Sequence, residues 1–144
     1  MQIDEKDAAL LRLLSDNARS PISDLARALG LARTTVQARV ERLERSGFIA
    51  GYTLRKGPSA RPMLRASALL SVEPRAGAAV LQKLKSLSQV EKVHTTSGRF
   101  DLVVELSAQS TEELDKTLDD IGAARGVKSS ESLIHLSTKI DRSA

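Results

Sequence analysis

Residues 20–48 read SPISDLARALGLARTTVQARVERLERSGF, two helical segments hinged on a glycine. Ser20 is suited to cap the first, and Pro21 to its first position, where a missing N–H costs nothing. Leu25, Ala26 and Leu29 recur at helical spacing, and Gly30 supplies the residue type that most often ends a helix. A second helix is expected from Ala32 to Ser46, stopped by Gly47, with Val36, Val40 and Leu43 four and three residues apart. Upstream, Asp4 and Asp7 stand in a capping-box arrangement ahead of Leu10, Leu11 and Leu14, which predicts one more helix fading at Asp16-Asn17. Three short helices with a tight turn at Gly30-Leu31 form a helix-turn-helix order, whose last helix enters the DNA major groove.

If Val36, Val40 and Leu43 face inward, Thr34, Thr35, Gln37, Ala38, Glu41, Arg42 and Arg45 lie on the outer arc, flanked by Arg33 and Arg39. Gln37 and Arg42 carry side chains that pair with adenine and guanine edges. Thr34, Thr35, Arg33 and Arg39 suit phosphates. The DNA-binding set is therefore Arg33, Thr34, Thr35, Gln37, Ala38, Arg39, Glu41 and Arg42. The plain alternative is a three-helix bundle whose last helix has a solvated polar face.

Beyond Gly47, Phe48, Ile49 and Tyr52 predict a short strand, the wing of a winged-type domain. Lys56-Gly57-Pro58-Ser59-Ala60-Arg61-Pro62 has linker chemistry. The expected domains are 1–54, a linker 55–62, and 63–144. In the last, strand patterns over 63–72, 90–96, 101–107 and 127–140 alternate with helical patterns over 77–88 and 111–124. The order βαββαβ is ferredoxin-like, with both helices on one face of an antiparallel sheet. The fold class is α+β. Adjacent apolar residues, Leu69-Leu70 and Leu102-Val103-Val104, point to opposite faces of that sheet. The face away from the helices is therefore expected to pair with a second subunit.

Net charge is +4, and its placement is uneven. Residues 51–75 carry five basic side chains (Arg55, Lys56, Arg61, Arg65 and Arg75) and one acidic one, a bias toward an anionic partner. The absence of cysteine excludes disulfides, zinc fingers and thiol chemistry. Aromatic residues make up only 2%, too few to stack single-stranded bases. The amino terminus lacks signal-peptide order, and the longest apolar stretch, 66–72, is too short to span a bilayer, so the chain is expected to be cytoplasmic. His94 and His135 stand alone on predicted strands, without a second metal ligand, and Asp119-Asp120 reads as a solvated helix face. No nucleophile–base pair is visible, so neither catalytic residue, metal nor cofactor is expected.

Taken in order, Asp4-Glu5-Lys6-Asp7, Leu25-Ala26, Gly30-Leu31, Val36, Arg39, Leu43-Glu44 and Gly47-Phe48-Ile49-Ala50-Gly51-Tyr52 resemble the Lrp/AsnC (leucine-responsive/asparagine regulator) family of transcription factors. Ser97-Gly98-Arg99-Phe100-Asp101 is similar to that family's Thr-Gly-x-aromatic-Asp, and Val127-Lys128-Ser129-Ser130-Glu131-Ser132 to its closing Val-x-x-Thr-x-Thr. The likeness spans essentially the whole chain. It implies a ligand-sensing ferredoxin-like domain, dimers that assemble into rings of up to eight, and an amino-acid effector. The effector-binding set it implies is Gly98, Arg99, Phe100, Asp101, Ser130 and Ser132. The chain departs from the family at Ala32, where a capping Ser is usual, and at Ser97, Ser130 and Ser132, where Thr is usual. Two other readings share the architecture: a siroheme decarboxylase, disfavoured by the two histidines, and an architectural DNA-compacting protein.

Overall fold

The computed structural model of the chain describes residues 2–57, 59, 60 and 63–143. They fall into two compact units, one through Lys56 and one from Gly57 to Arg142. The first holds α1 (Glu5–Asp16), α2 (Ile22–Leu29) and α3 (Arg33–Arg45). The second holds β1 (Leu64–Val72), α4 (Gly77–Lys85), β2 (Val90–Thr95), β3 (Leu102–Ala108), α5 (Thr111–Gly122) and β4 (Val127–Ile134).

In the helical unit, α1 begins in the expected capping box. The Asp4 carboxylate accepts from the Asp7 N–H, and the Asp7 carboxylate accepts from the Asp4 N–H. α2 starts one residue later than its sequence suggests. Pro21 has extended backbone and is itself the cap residue, while the Ser20 hydroxyl donates to the Asn17 carbonyl instead. Gly30 closes α2 at φ 66°, a conformation that penalises any residue with a Cβ. Leu31 then donates back to the Ala26 carbonyl, and Lys6 donates its ammonium to the last carbonyl of α2, that of Leu29, at 2.7 Å. The core is small: Leu10, Leu25, Ala26, Leu29, Val36 and Leu43, with Val40 partly buried beside them. Asp7 is buried among them, with 0% exposure.

The predicted strand after α3 is not formed: residues 48–57 carry no regular structure. Ile49 is drawn onto the helical core, but Phe48, Tyr52 and Leu54 stay exposed. A strand needs a partner ladder, and none lies beside this segment among the described residues. Of the proposed linker, Pro58, Arg61 and Pro62 lie outside the described residues.

The second unit is a four-stranded sheet in the order β2-β3-β1-β4, with antiparallel neighbours throughout. Period-two burial sorts its strands. Ala66, Ala68 and Leu70 of β1 and Leu102, Val104 and Leu106 of β3 face the helices, packing on Val80 and Leu84 of α4 and Leu114 and Ile121 of α5. Thr117 of α5 is also buried, its hydroxyl donating to the Glu113 carbonyl. On the opposite face, Leu69 and Val103 are paired neighbours and only half-buried, and Leu133 is exposed. β4 ends at Ile134, before the expected 140, because its ladder with β1 runs out at Ala66. Leu136 and Ile140 are consequently exposed.

Gly126 turns the chain from α5 into β4 at φ 101°, and a Cβ built there would lie 2.7 Å from the Cβ of Ala76. Gly126→Ala should therefore cost about 2–4 kcal/mol, backbone strain and overpacking together, measured as a lowered urea midpoint of the sheet unit.

Candidate nucleic-acid interface and effector site

The outer surface of α3 presents Arg33, Thr34, Thr35, Gln37, Ala38, Glu41, Arg42 and Arg45, all exposed. Gln37 donates its amide to Glu41 at 3.0 Å, so the two form one hydrogen-bonding unit four residues apart. Arg33 and Arg45 have no ion-pair partner among the described residues. Ala32 occupies the cap position with extended backbone and no side-chain cap, and no side chain among the described residues supplies one.

Arg39 and Arg42 differ from the other two arginines. Arg39 sends Nη1 to both oxygens of Asp4, at 2.9 and 2.8 Å, and to Asp7 Oδ1 at 2.9 Å. Arg42 sends Nη2 to Asp7 Oδ2 at 2.7 Å. Arg39 is only 23% exposed, whereas Arg42 remains half-exposed. The Asp4 carboxyl is held below the usual carboxylate range, first by the Asp7 N–H and then by Arg39. Burial works against both charges of the pair, yet the two carboxylates hold Arg39 all the more firmly protonated, Asp4 contributing most. The arginine pattern on a helical wheel places Arg39 at the edge of the arc. It does not reveal that a buried carboxylate 32 residues upstream takes up its charge.

In the sheet unit, Ser97–Asp101 joins β2 to β3. Gly98 has φ 107°, and the N–H groups of Gly98, Arg99 and Phe100 have no acceptor among the described residues. Asp101 is a structural staple: its N–H donates to the Leu70 carbonyl, and its Oδ2 accepts from the Val72 N–H, both at 2.8 Å. The other carboxylate oxygen stays without a partner among the described residues. Thr96 closes the loop by donating to the Phe100 carbonyl. Leu70 is paired on its other side with Ser130, and Ala68 with Ser132. Asp101 and Ser130 therefore flank the same residue of β1. Because Leu70 and Ala68 face the helices, Ser130 and Ser132 lie on the helix side of the sheet, the Ser130 hydroxyl beside Gly122 of α5. Arg99 departs from this group, stacking over Phe100 with 4.9 Å to the ring centre and reaching Glu131 at 3.4 Å. His135 hydrogen-bonds Ser67 at 2.9 Å, and Asp120 pairs with Lys116.

Two family models match this arrangement: the AsnC-type helix-turn-helix domain over residues 3–44 and the Lrp/AsnC ligand-binding domain over residues 65–144. The chain belongs to the Lrp/AsnC family. Among its relatives, the HTH-type transcriptional regulator FL11 of Pyrococcus abyssi is 30% identical, with 96% of this chain and 92% of that protein covered. LrpA of Pyrococcus horikoshii is 33% identical over 87% and 90%. The solved structure of Escherichia coli AsnC superposes with a TM-score of 0.90 at 25% identity, covering 100% of this chain and 99% of that one. A Neisseria meningitidis transcriptional regulator solved as a complex with L-Met shares the fold, with a TM-score of 0.88 at 19% identity and 97% and 94% covered. This Lrp/AsnC chain is thus a transcriptional regulator, built of a DNA-binding helix-turn-helix and a ligand-binding domain, in a family not known for enzymes.

The missing cap of α3 gives a direct expectation. Ala32→Ser should stabilise the helical unit by about 1 kcal/mol, since a Ser side chain satisfies an orphan N–H of the first turn. The readout is its urea midpoint.

Proposed function

We propose that the chain reads specific sequences of double-stranded DNA through α3, and that an amino acid sets its assembly or its DNA affinity. The observation that carries the first half is the exposed polar arc of α3 on a helix whose other face is locked into a core. Gln37, presented with Glu41, reads base edges together with Arg42. Thr34, Thr35 and Ala38 lie against the groove wall, and Arg33 meets phosphate. Arg39 contributes through its position beside Arg42.

The effector half rests on the Ser97–Asp101 loop, on Ser130 and Ser132, and on the L-Met carried by the meningococcal fold neighbour. The unpartnered N–H groups of Gly98, Arg99 and Phe100 suit an α-carboxylate. The free oxygen of Asp101 suits an α-ammonium, and Ser130 and Ser132 offer hydroxyls. The half-buried Leu69 and Val103 and the exposed Leu133 suit a homodimer, which would build toward an octamer. Ser130 and Ser132 lie on the helix side of the sheet, away from Leu69, Val103 and Leu133, so a partner subunit that reached the Ser97–Asp101 loop at the end of the sheet would couple ligand to assembly. The proposed division is a reader over 1–54, a linker over 55–62 and a sensor over 63–144, acting in the cytoplasm.

Mobility shifts on a duplex selected from a random pool, and on a scrambled one, test the reader. Gln37→Ala should weaken the selected duplex by about 1–3 kcal/mol and leave the scrambled one alone, whereas Arg33→Ala should weaken both alike. Unchanged binding by both variants would mean that α3 is not the reader. Calorimetry and light scattering with each of the twenty amino acids test the sensor. One of them should bind and shift the oligomer distribution, and Asp101→Asn, which keeps an acceptor for Val72 but loses the charge, should weaken it about tenfold or more. Silence across all twenty would remove the amino-acid effector.

A further inference from the structure

We propose that Asp7, on α1 and outside the proposed reading helix, is a specificity-determining positioning residue: it neutralises Arg39 and aims Arg42. The proposal rests on the reading of α3 given above. Asp7 is fully buried, and its carboxylate takes one arginine on each oxygen. Asp4 completes a set of two negative and two positive charges.

Two consequences follow. First, two of the four arginines of α3 arrive already paired. Arg33 and Arg45 are unpaired among the described residues, but with Asp4 and Asp7 counted the four arginines of α3 are matched by four carboxylates, the others being Glu41 and Glu44, so the net charge of this group is zero. Non-specific affinity grows with each cation that displaces counterions from phosphate, so a charge-balanced reader binds random DNA weakly. Second, Arg42 is fixed at Nη2 by a short charge-assisted bond. Its Nε and Nη1 remain without a partner among the described residues, and the planar guanidinium fixes where those donors point. An arginine held this way loses little conformational freedom on meeting a guanine edge. Arg39 is held more deeply, its Nε buried without an acceptor. It serves as the wedge between Asp4 and Asp7 and is not a phosphate contact.

The test measures salt dependence and discrimination in Asp7→Asn and Asp4→Asn, with circular dichroism to establish the folded fraction. Asparagine at position 4 caps a helix about as well as aspartate, so that variant keeps α1 while releasing the outer hold on Arg39. Each variant frees one positive charge. The log–log salt slope on the scrambled duplex should steepen by up to about 0.9 in each, and scrambled-duplex affinity at low salt should rise several-fold. In Asp7→Asn the ratio of selected to scrambled affinity should fall about tenfold, the loss of one well-aimed base contact. A merely structural Asp7 would lower both affinities in proportion to the folded fraction, with the slope unmoved, and that result would overturn the proposal. Should Asp7→Asn not fold, Asp4→Asn decides alone, an unmoved slope again being fatal. If instead Gln37→Ala and Arg33→Ala leave both duplexes unaffected, the reading of α3 has failed rather than the role of Asp7.

Discussion

The helical unit depends on one dehydrated carboxylate. Asp7 sits with 0% exposure among leucines, where an unpaired charge would be intolerable. It is tolerable because Arg39, Arg42 and the Asp4 N–H reach it. Removing one partner of a fully buried pair costs about 3–5 kcal/mol. The figure here is smaller, because Arg42 keeps half its surface in water. Replacing Asp7, Arg39 and Arg42 together by well-packed apolar side chains would hold α1 against α3 about as well, whereas replacing Asp7 alone strands its partners. What the carboxylate adds is direction: it fixes where two side chains on α3 lie, which no leucine does.

The sheet unit is organised by its central strand. β1 is paired on both sides, and its buried alternate residues fix which face takes the helices. Everything proposed for the effector hangs from its far end. Leu70 and Val72 are tied to Asp101 through backbone N–H and C=O, and Leu70 is also the neighbour of Ser130. The loop is thereby held against a strand that cannot shift register without turning its buried face outward. A ligand contacting both the loop and β4 would bridge two elements already braced by the same residue.

The helices were legible because capping and period agree: Asp4 with Asp7, Leu25-Ala26 with Leu29, Gly30 and Gly47 as stops. Likewise, apolar adjacency marked both faces of β1 and β3. Signals that depend on a partner were not legible. Phe48 to Tyr52 and the tail beyond Ile134 carry strand-like residues, but a strand exists only where another offers its ladder, and that is a tertiary fact. The reach of a long side chain is equally invisible. Arg39 and Arg42 look like Arg33 on a helical wheel, and only the folded chain shows that their charge is taken by Asp4 and Asp7.

That difference changes what the basic balance of the chain means. A net charge of +4 invites a picture of affinity driven by phosphate attraction, and hence of an architectural protein that coats DNA. Yet residues 1–50 hold eight basic and seven acidic side chains, and α3, the proposed reading helix, has half its arginines already paired. The excess lies in residues 51–75, off that helix. A charge-balanced reader gains little from random sequence and must draw its affinity from base contacts. One short helix supplies few of these. Two readers joined in a dimer raise the effective concentration of the second for its half-site, so modest discrimination at each becomes large for the pair. If the proposed dimer forms through the sheet unit, that unit is as much a part of DNA recognition as α3. In such a dimer, whatever the proposed effector did to assembly it would do to specificity as well.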